Sequence, residues 1–389
     1  MIDYSSLISD KASVVKPSGI RKFFDIVSTM EGAISLGVGE PDFQTPWQIR
    51  RAGIASIEKG RTFYTSNWGL ADLRHEISVY AKKSYNLDYD EHDEIIVTVG
   101  GSEAIDNALR SFVSDGDEVL IPEPSFVCYT PLTIMAGGTP VSLETKMEDG
   151  FKLTADALRA AITPKTKVLI MPYPNNPTGA IMTREDLEEI AAVLRDTNII
   201  VISDEIYCEL TYGGKKHVCF AELPGMRERT IVINGFSKSY AMTGWRLGWV
   251  MAPREMLQPL VKIHQFGIMS APTLSQFAGI EAMRSCADEI AYMRKEYDMR
   301  RRFVYSTLVD MGMPCFEPEG AFYIFPNITK YYDDDEEFCE RLLNSKKVAV
   351  VPGSAFGESG RGHIRISYSY SMKHLQTALE RMQEFLLEL

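Results

Sequence analysis

Between Thr45 and about Met283 the sequence alternates short β-rich apolar runs with amphipathic stretches, and this alternation limits the fold more than any other feature. The runs are Ile95–Val99, Glu118–Ile121, Lys167–Met171, Ile199–Ser203 and Thr230–Asn234. They are rich in Val and Ile and lack strict polar alternation, so they read as strands buried on both faces, the kind found in a largely parallel sheet covered by helices. Helix signals fall between them. Thr183 stands three residues before Asp186 in a capping arrangement, ahead of an apolar-periodic stretch that ends at Leu194. A long helical stretch from about Thr273 to Leu308 then leaves the sheet.

With 389 residues, 45% of them hydrophobic and 24% charged, the chain can bury a large core, and two domains are expected. The large one spans 46–283. The smaller α+β unit combines 1–45 with 284–389, with strands within Gly320–Phe325, Val348–Val351 and His363–Ser367 and helices over Glu336–Leu343 and from Met372. The acidic run Tyr331–Glu337 reads as a solvated loop leading into a helix. A net charge of −12 argues against nucleic acid as a partner, because phosphate backbones need a basic face. No apolar run reaches the roughly 18 residues of a membrane span, and the start lacks the basic-then-apolar pattern of a signal peptide. A cytoplasmic protein with no membrane partner is expected. The cysteines at 128, 208, 219, 286, 315 and 339 show no C-x-x-C spacing, which suits reduced thiols and implies no metal site.

In open parallel sheets, ligands bind beyond the carboxyl ends of the strands. After Val99 come Gly100, Gly101, Ser102 and Glu103; after Ile121 the chain runs to Phe126; after Met171 it passes Asn176; after Ser203 come Asp204 and Tyr207; after Asn234 come Ser237 and Lys238. A glycine pair opening a helix offers free backbone N–H groups, here of Gly101, Ser102 and Glu103, to an anion. Ser237 and the planar fork of Arg246 complete a phosphate cup. Lys238 sits just past a buried strand, where desolvation and the neighbouring Arg246 cation keep part of its amine free to form a Schiff base. A nucleotide-phosphate loop is excluded, because the glycine required before the lysine is Ser237. Likewise Gly37 and Gly39 mimic half a dinucleotide fingerprint whose third glycine falls at Asp42, so a plain loop approached closely by another group is expected. Taken singly, the glycines explain a turn, Asp204 a helix cap, Phe126 core and Asn176 a turn. Together, a phosphate cup, an aromatic plate, an asparagine, an aspartate, a tyrosine and a lysine amine answer the requirements of pyridoxal 5'-phosphate.

The motifs Gly39-Glu-Pro-Asp-Phe43, Asn176-Pro-Thr-Gly179, Asp204-Glu-Ile-Tyr207, Ser237-Lys238 and Gly362-His-Ile-Arg-Ile-Ser-Tyr368 stand in this order along the chain. In this respect almost the whole sequence resembles a class I/II pyridoxal-phosphate aminotransferase of fold type I, the aspartate/aromatic aminotransferase superfamily. The segments Ser18–Phe23 and Ser237–Arg246 are most similar to those of bacterial aromatic or N-acetyl-diaminopimelate aminotransferases. The resemblance implies an α/β large domain with a mostly parallel seven-stranded sheet between helices, and a smaller α+β domain. It also implies ping-pong transfer of an amino group from an aromatic, acidic or N-acetyl-diaminopimelate-like L-amino acid to a 2-oxo acid such as 2-oxoglutarate. Lys238 would hold the cofactor covalently and shuttle the proton between Cα and C4′. Asp204 would keep the ring nitrogen protonated, Asn176 and Tyr207 would bond its phenolic oxygen, and Phe126 would stack on the ring. Gly101, Ser102, Glu103, Ser237 and Arg246 would hold the phosphate, and Arg365 with the Gly39 backbone would clamp the substrate α-carboxylate, to which Asn176 is adjacent. The resemblance further implies a homodimer in which Tyr64 reaches the cofactor phosphate of the other subunit. The same residues also suit a carbon–sulfur β-lyase, and a cofactor-binding regulator is a third reading. For the distal side-chain pocket the candidates are Arg21, Lys22, Trp68 and His264.

Overall fold

The computed structural model describes residues 2, 4–17, 19 and 30–389. In chain order the strands are β1 (Ile34–Ser35), β2 (Ile95–Thr98), β3 (Glu118–Glu123), β4 (Thr139–Glu144), β5 (Thr166–Met171) and β6 (Ile200–Asp204). They continue with β7 (Thr230–Gly235), β8 (Gly248–Met251), β9 (Tyr323–Ile324), β10 (Val348–Ala349), β11 (Val351–Pro352) and β12 (Ile364–Ser367). A seven-stranded sheet has the order β2-β8-β7-β6-β5-β3-β4, parallel throughout except for β8, which runs antiparallel to both neighbours.

The central runs form strands because each successive side chain finds a core on its own face. Ile231 and Ile233 of β7 join Ile96, Ile121 and Leu257 on one side, while Val232 joins Val97, Leu73 and Trp249 on the other. This double burial is why the runs show no polar alternation. The helix Arg184–Leu194 starts at the expected point. Its cap Thr183 accepts from Asp186 N at 3.3 Å and donates its own N–H to Asp186 Oδ2 at 2.8 Å, a reciprocal arrangement that contributes about 1 kcal/mol.

Two strands of the seven-stranded sheet lie outside the five anticipated runs. Strand β4 is an edge strand, mostly exposed or half-buried, and contains Pro140, which an edge tolerates because it needs no full set of ladder donors. Strand β8 is only four residues long and opens on Gly248, where a Cβ would come within 2.8 Å of the Gly100 backbone. The long helical stretch is two helices, Thr273–Ser285 and Ala287–Asp310, joined at Cys286, whose φ of −112° and ψ of 26° leave the helical range.

The C-terminal part carries an antiparallel sheet in the order β11-β12-β9, and β10 pairs with β1 in parallel. The run Val348–Val351 therefore divides at Val350, passing from one sheet to the other. Asp334 caps the helix Asp335–Lys346 by accepting from Glu336 N and Glu337 N, each at 2.9 Å. Asp335 departs from the expected solvated run: it is buried and accepts from Ser354 N at 2.7 Å. One apolar cluster joins Phe322, Ile324, Ile366 and Leu375 of this part to Leu36 and Tyr207, so the packing continues to the edge where the large sheet presents its strand ends.

Candidate active site

The carboxyl ends of β2, β3, β5, β6 and β7 lead to one cavity of about 530 Å³. Because β8 is antiparallel, its start lies at this same edge, and Arg246, two residues before it, lines the cavity too. Across the sheet the lining residues follow spatial rather than sequence order: Gly101 and Ser102 after β2, Arg246 before β8, Ser237 and Lys238 after β7, Asp204 and Tyr207 at β6, Asn176 after β5, and Phe126 after β3. Gly39 and Arg365 close it from the other side of the chain's packing.

The helix Gly101–Phe112 starts against the cavity, so its first N–H groups and dipole present positive charge there. Arg246 takes a left-handed backbone with φ of 51° and ψ of 60°, and its guanidinium is held by Nη1 donating to Thr243 O at 2.9 Å. Gly100, at φ +80°, makes room for it: a Cβ there would stand 2.7 Å from Arg246 Nη2.

Lys238 Nζ donates to Gly39 O at 2.5 Å. Burial disfavours its ammonium and brings its pKa down to about 8; Glu40 opposes the shift, and the cations of Arg365 and Arg246 assist it. Burial pushes the Asp204 carboxyl up, against the hydrogen bond from Tyr129, the Ile206 N–H and the charge of Lys238. The Tyr129 hydroxyl donates to Asp204 Oδ2 at 2.7 Å and the Ile206 N–H to Oδ1 at 3.3 Å. Arg365 is buried. Its Nη1 donates to Asn176 Oδ1 at 2.8 Å, its Nη2 donates to Gly37 O, and its guanidinium lies over the Tyr323 ring at 4.6 Å from the centroid. Its Nε finds no partner among the described residues, which leaves a buried, charged donor for an anion to satisfy.

Several expected positions fall elsewhere. The Glu103 side chain turns back to accept from Val99 N at 2.7 Å and to bond His264 Nδ1 at 2.8 Å, so only its backbone N–H remains for an anion, and it does not line the cavity. That bond also removes His264 from the side-chain pocket: it is fully buried on Glu103. Trp68 packs on the apolar side of the sheet, its carbonyl accepting from Val97 N at 3.0 Å. Arg21 and Lys22 lie outside the described residues. Arg365 and Gly39, the expected carboxylate clamp, both line the cavity; Arg365 Nη2 donates to Gly37 O, and Gly39 O accepts from Lys238 Nζ. Tyr64 lies outside its own chain's cavity and is 81% exposed. The residues missed were Tyr129 and Tyr323. Tyr129 stands three places after Phe126, one helical turn from a residue already singled out; Tyr323 sits inside the Gly320–Phe325 run, read only as a strand.

A model of the family described as aminotransferase class I and II matches residues 31–382. The chain belongs to the class I and II aminotransferases. It is similar to the protein YugH of Bacillus subtilis strain 168, with 50% identity over 98% of this chain and 99% of that one. To an aspartate aminotransferase of Pyrococcus abyssi it shows 46% identity, covering 98% of each chain. The solved structure of an aromatic aminotransferase from Pyrococcus horikoshii superposes with a TM-score of 0.90 at 44% identity, covering 94% of this chain and 99% of that one.

Aminotransferases of this family use pyridoxal 5'-phosphate, and the residues of this aminotransferase fit it. A helix start, the buried Ser237 and Arg246 make a seat for a phosphate; Asp204 supplies a buried acid for a ring nitrogen; Lys238 supplies an amine of lowered basicity. Among the described residues no helix is long and apolar enough to cross a membrane.

Proposed function

We propose that this aminotransferase moves the amino group of an aromatic or acidic L-amino acid to a 2-oxo acid such as 2-oxoglutarate, with Lys238, Asp204 and Arg365 as its working groups. The observation that carries the reading is one cavity holding an amine with a pKa of about 8, a buried carboxylate and a buried arginine with an unpaired Nε. The names of relatives, aspartate aminotransferase and aromatic-amino-acid aminotransferase 2, support the donor class.

Arg365 takes the substrate α-carboxylate in a bidentate pair, with Asn176 on Nη1 fixing the plane of the fork. Gly101, Ser102, the Glu103 N–H, Ser237 and Arg246 would hold the phosphate, Phe126 would pack on the ring, and Tyr207 and Asn176 would serve its phenolic oxygen. Pyridoxal phosphate, when bound, supplies the sink for the electron pair left at the substrate Cα. Asp204, whose ionised form is favoured by the hydrogen bonds from Tyr129 and the Ile206 N–H against the effect of burial, would hold a proton at the ring nitrogen. Lys238 Nζ would hold the cofactor and, as a free amine of lowered basicity, would take the proton from the substrate Cα. Segments 1–45 and 284–389 act as the smaller domain, which brings Arg365 toward the 46–283 domain and excludes water on closure.

The functional unit in this reading is a homodimer in which each chain lends Tyr64 to its partner's phosphate site. Support comes from the loop's form. Phe63 and Tyr64 are 79% and 81% exposed, yet the loop is fixed by Thr273 Oγ1 on Phe63 O at 2.6 Å, Gln276 Nε2 on Thr65 Oγ1 at 2.9 Å and Asn67 Nδ2 on Met269 O at 2.8 Å. A rigid aromatic protrusion beside exposed Phe266, Ile268 and Met269 suits a protein interface. The free thiols of the cysteines fit a cytoplasmic location.

The test adds single L-amino acids to the cofactor-loaded enzyme. One equivalent of 2-oxo acid should form and then stop, with turnover resuming only when 2-oxoglutarate is added. Continuous release of ammonia without an acceptor would overturn the reading. Mixing Lys238→Ala with Tyr64→Ala under subunit exchange tests the shared site. A heterodimer then contains one site with both residues intact, so activity should rise above that of either parent, whereas a tyrosine acting within its own chain gives no rise.

A further inference from the structure

Three parts of the chain meet at the hydroxyl of Tyr323, a residue to which neither the sequence motifs nor the proposed mechanism gives a task. Its ring, buried in β9, lies under the Arg365 guanidinium at 4.6 Å, because β9 pairs with β12 and sets Tyr323 opposite Ser367, two residues from Arg365. Its hydroxyl is 2.8 Å from the Tyr207 hydroxyl, at the end of β6. It also abuts Gly39, where an added Cβ would overlap it. All four residues line the cavity.

We propose that Tyr323 is a positioning residue with two separable duties: its ring fixes the fork of Arg365, and its hydroxyl donates to Tyr207 so that the Tyr207 proton points at the cofactor's phenolic oxygen. The inference rests on the roles given above to Arg365 and Tyr207. The direction of the hydrogen bond follows from proton count. Each phenol has one proton. If Tyr207 spent its proton on Tyr323, it would have none for the cofactor. Burial raises both phenols, and the Arg365 cation opposes the rise in each, so both hydroxyls keep their protons. A phenol that accepts one hydrogen bond donates a stronger one, so the chain from Tyr323 through Tyr207 reinforces the last link. The ring duty is electrostatic: an aromatic face under a guanidinium, with Phe356 at 4.8 Å as a second ring, holds the fork without using any of its N–H donors.

Two substitutions separate the duties, each read on the cofactor-loaded enzyme by methods other than turnover. The first readout is the pH midpoint of the visible absorbance change of the bound cofactor. The second is the dissociation constant of maleate and of 3-phenylpropionate, carboxylates without an amine, followed by the absorbance change on binding. Tyr323→Phe keeps the ring. It should leave both dissociation constants within about twofold and move the absorbance midpoint upward by about half a pH unit, because a weakened Tyr207 donor holds the phenolic oxygen less well in its ionised form. Tyr323→Leu should in addition weaken both carboxylates about tenfold. In a double-mutant cycle, Tyr323→Phe should add nothing to the midpoint shift of Tyr207→Phe.

An unmoved midpoint in Tyr323→Phe, or full additivity with Tyr207→Phe, overturns the hydroxyl duty. Unchanged carboxylate binding in Tyr323→Leu overturns the ring duty. If Tyr323→Leu does not fold, Tyr323→Phe, which preserves shape, still decides the hydroxyl duty, and Tyr323→Trp, with a larger aromatic face, replaces it for the ring: the carboxylates must then bind within about threefold of the wild type. Failure of the underlying assignments looks different. Tyr207→Phe alone would leave the midpoint in place, or Arg365→Lys alone would leave carboxylate binding intact.

Discussion

The amine of Lys238 has to be free of its proton before it can capture the cofactor, and the cavity sets how much free amine exists. With a pKa of about 8, roughly a tenth of the amine is free at pH 7 and about nine-tenths at pH 9. The sign follows from burial, which penalises the ammonium and not the amine; raising the pH through 8 therefore switches the group on. Capture of pyridoxal phosphate by the apoprotein should accelerate about tenfold between pH 7 and 9 and then level off. An ordinary exposed lysine near 10.4 would gain about a hundredfold over the same interval and continue to rise. The assay is stopped-flow absorbance of the apoprotein mixed with cofactor, with borohydride trapping to confirm that the label sits on Lys238. Running Nα-acetyl-lysine in parallel cancels the cofactor's own titration. The ratio of protein to reference rate should fall about tenfold from pH 7 to 9. A second arm uses Glu40→Gln. Glu40 is the carboxylate that most opposes the shift, so its neutralisation should move the midpoint further down. A constant ratio across the range, or an upward move in the variant, would refute the claim that burial and neighbouring charge control this amine.

Lys238→Ala should still bind cofactor without covalent attachment and lose at least about 10³-fold in kcat, measured by single-turnover absorbance. Asp204→Asn leaves the Tyr129 hydroxyl and the Ile206 N–H without their charged acceptor; kcat should fall by more than about tenfold, while cofactor affinity, measured by equilibrium dialysis, changes less. Arg365→Lys keeps the charge but loses the fork, and kcat/KM should drop by a similar factor of about 10 to 10³ for every amino donor in a panel. Loss confined to acidic donors would move Arg365 to a side-chain role.

What the sequence reveals and what it hides follow from how each element is stabilised. Strands buried on both faces must be apolar whatever surrounds them, so β2, β3, β5, β6 and β7 are visible as runs, and the residues after them point to the cavity. Strand β4 is mostly exposed or half-buried, and β8, though buried throughout, is the run Gly248-Trp-Val-Met251 with a single β-branched residue, so neither leaves a clear trace. No proline or glycine marks the break at Cys286, so it lies in backbone angles and not in composition. Site residues at strand ends are legible for the same topological reason, Lys238 and Asp204 above all. Contacts between distant segments are not. The bond from Tyr129 to Asp204 joins residues 75 positions apart, and that from Tyr207 to Tyr323 spans 116; neither has a local signature. His264 misled because a lone histidine reads as functional until its complete burial against Glu103 is seen.

The charge balance of the cavity connects fold and chemistry. In a chain of net charge −12, the cavity brings together three cations, Lys238, Arg246 and Arg365, against the carboxylates of Asp204 and Glu40. Glu40 is turned to Thr243, which donates to it from the segment preceding β8. Asp204 is already held by Tyr129 and Ile206. The cations are consequently left without full compensation inside the site: burial depresses both Lys238 and Arg365, and Arg365 keeps an unpaired Nε. Such an arrangement costs stability in the empty protein, since buried charge wants a partner. Each piece of it is relieved by an anion of the kind the reaction requires, a phosphate at Arg246 and the helix start, a carboxylate at Arg365. The antiparallel β8 is what makes this convergence reachable: run parallel, it would place Arg246 at the opposite edge of the sheet, and the helix start at Gly101 would face the phosphate without a cation beside it.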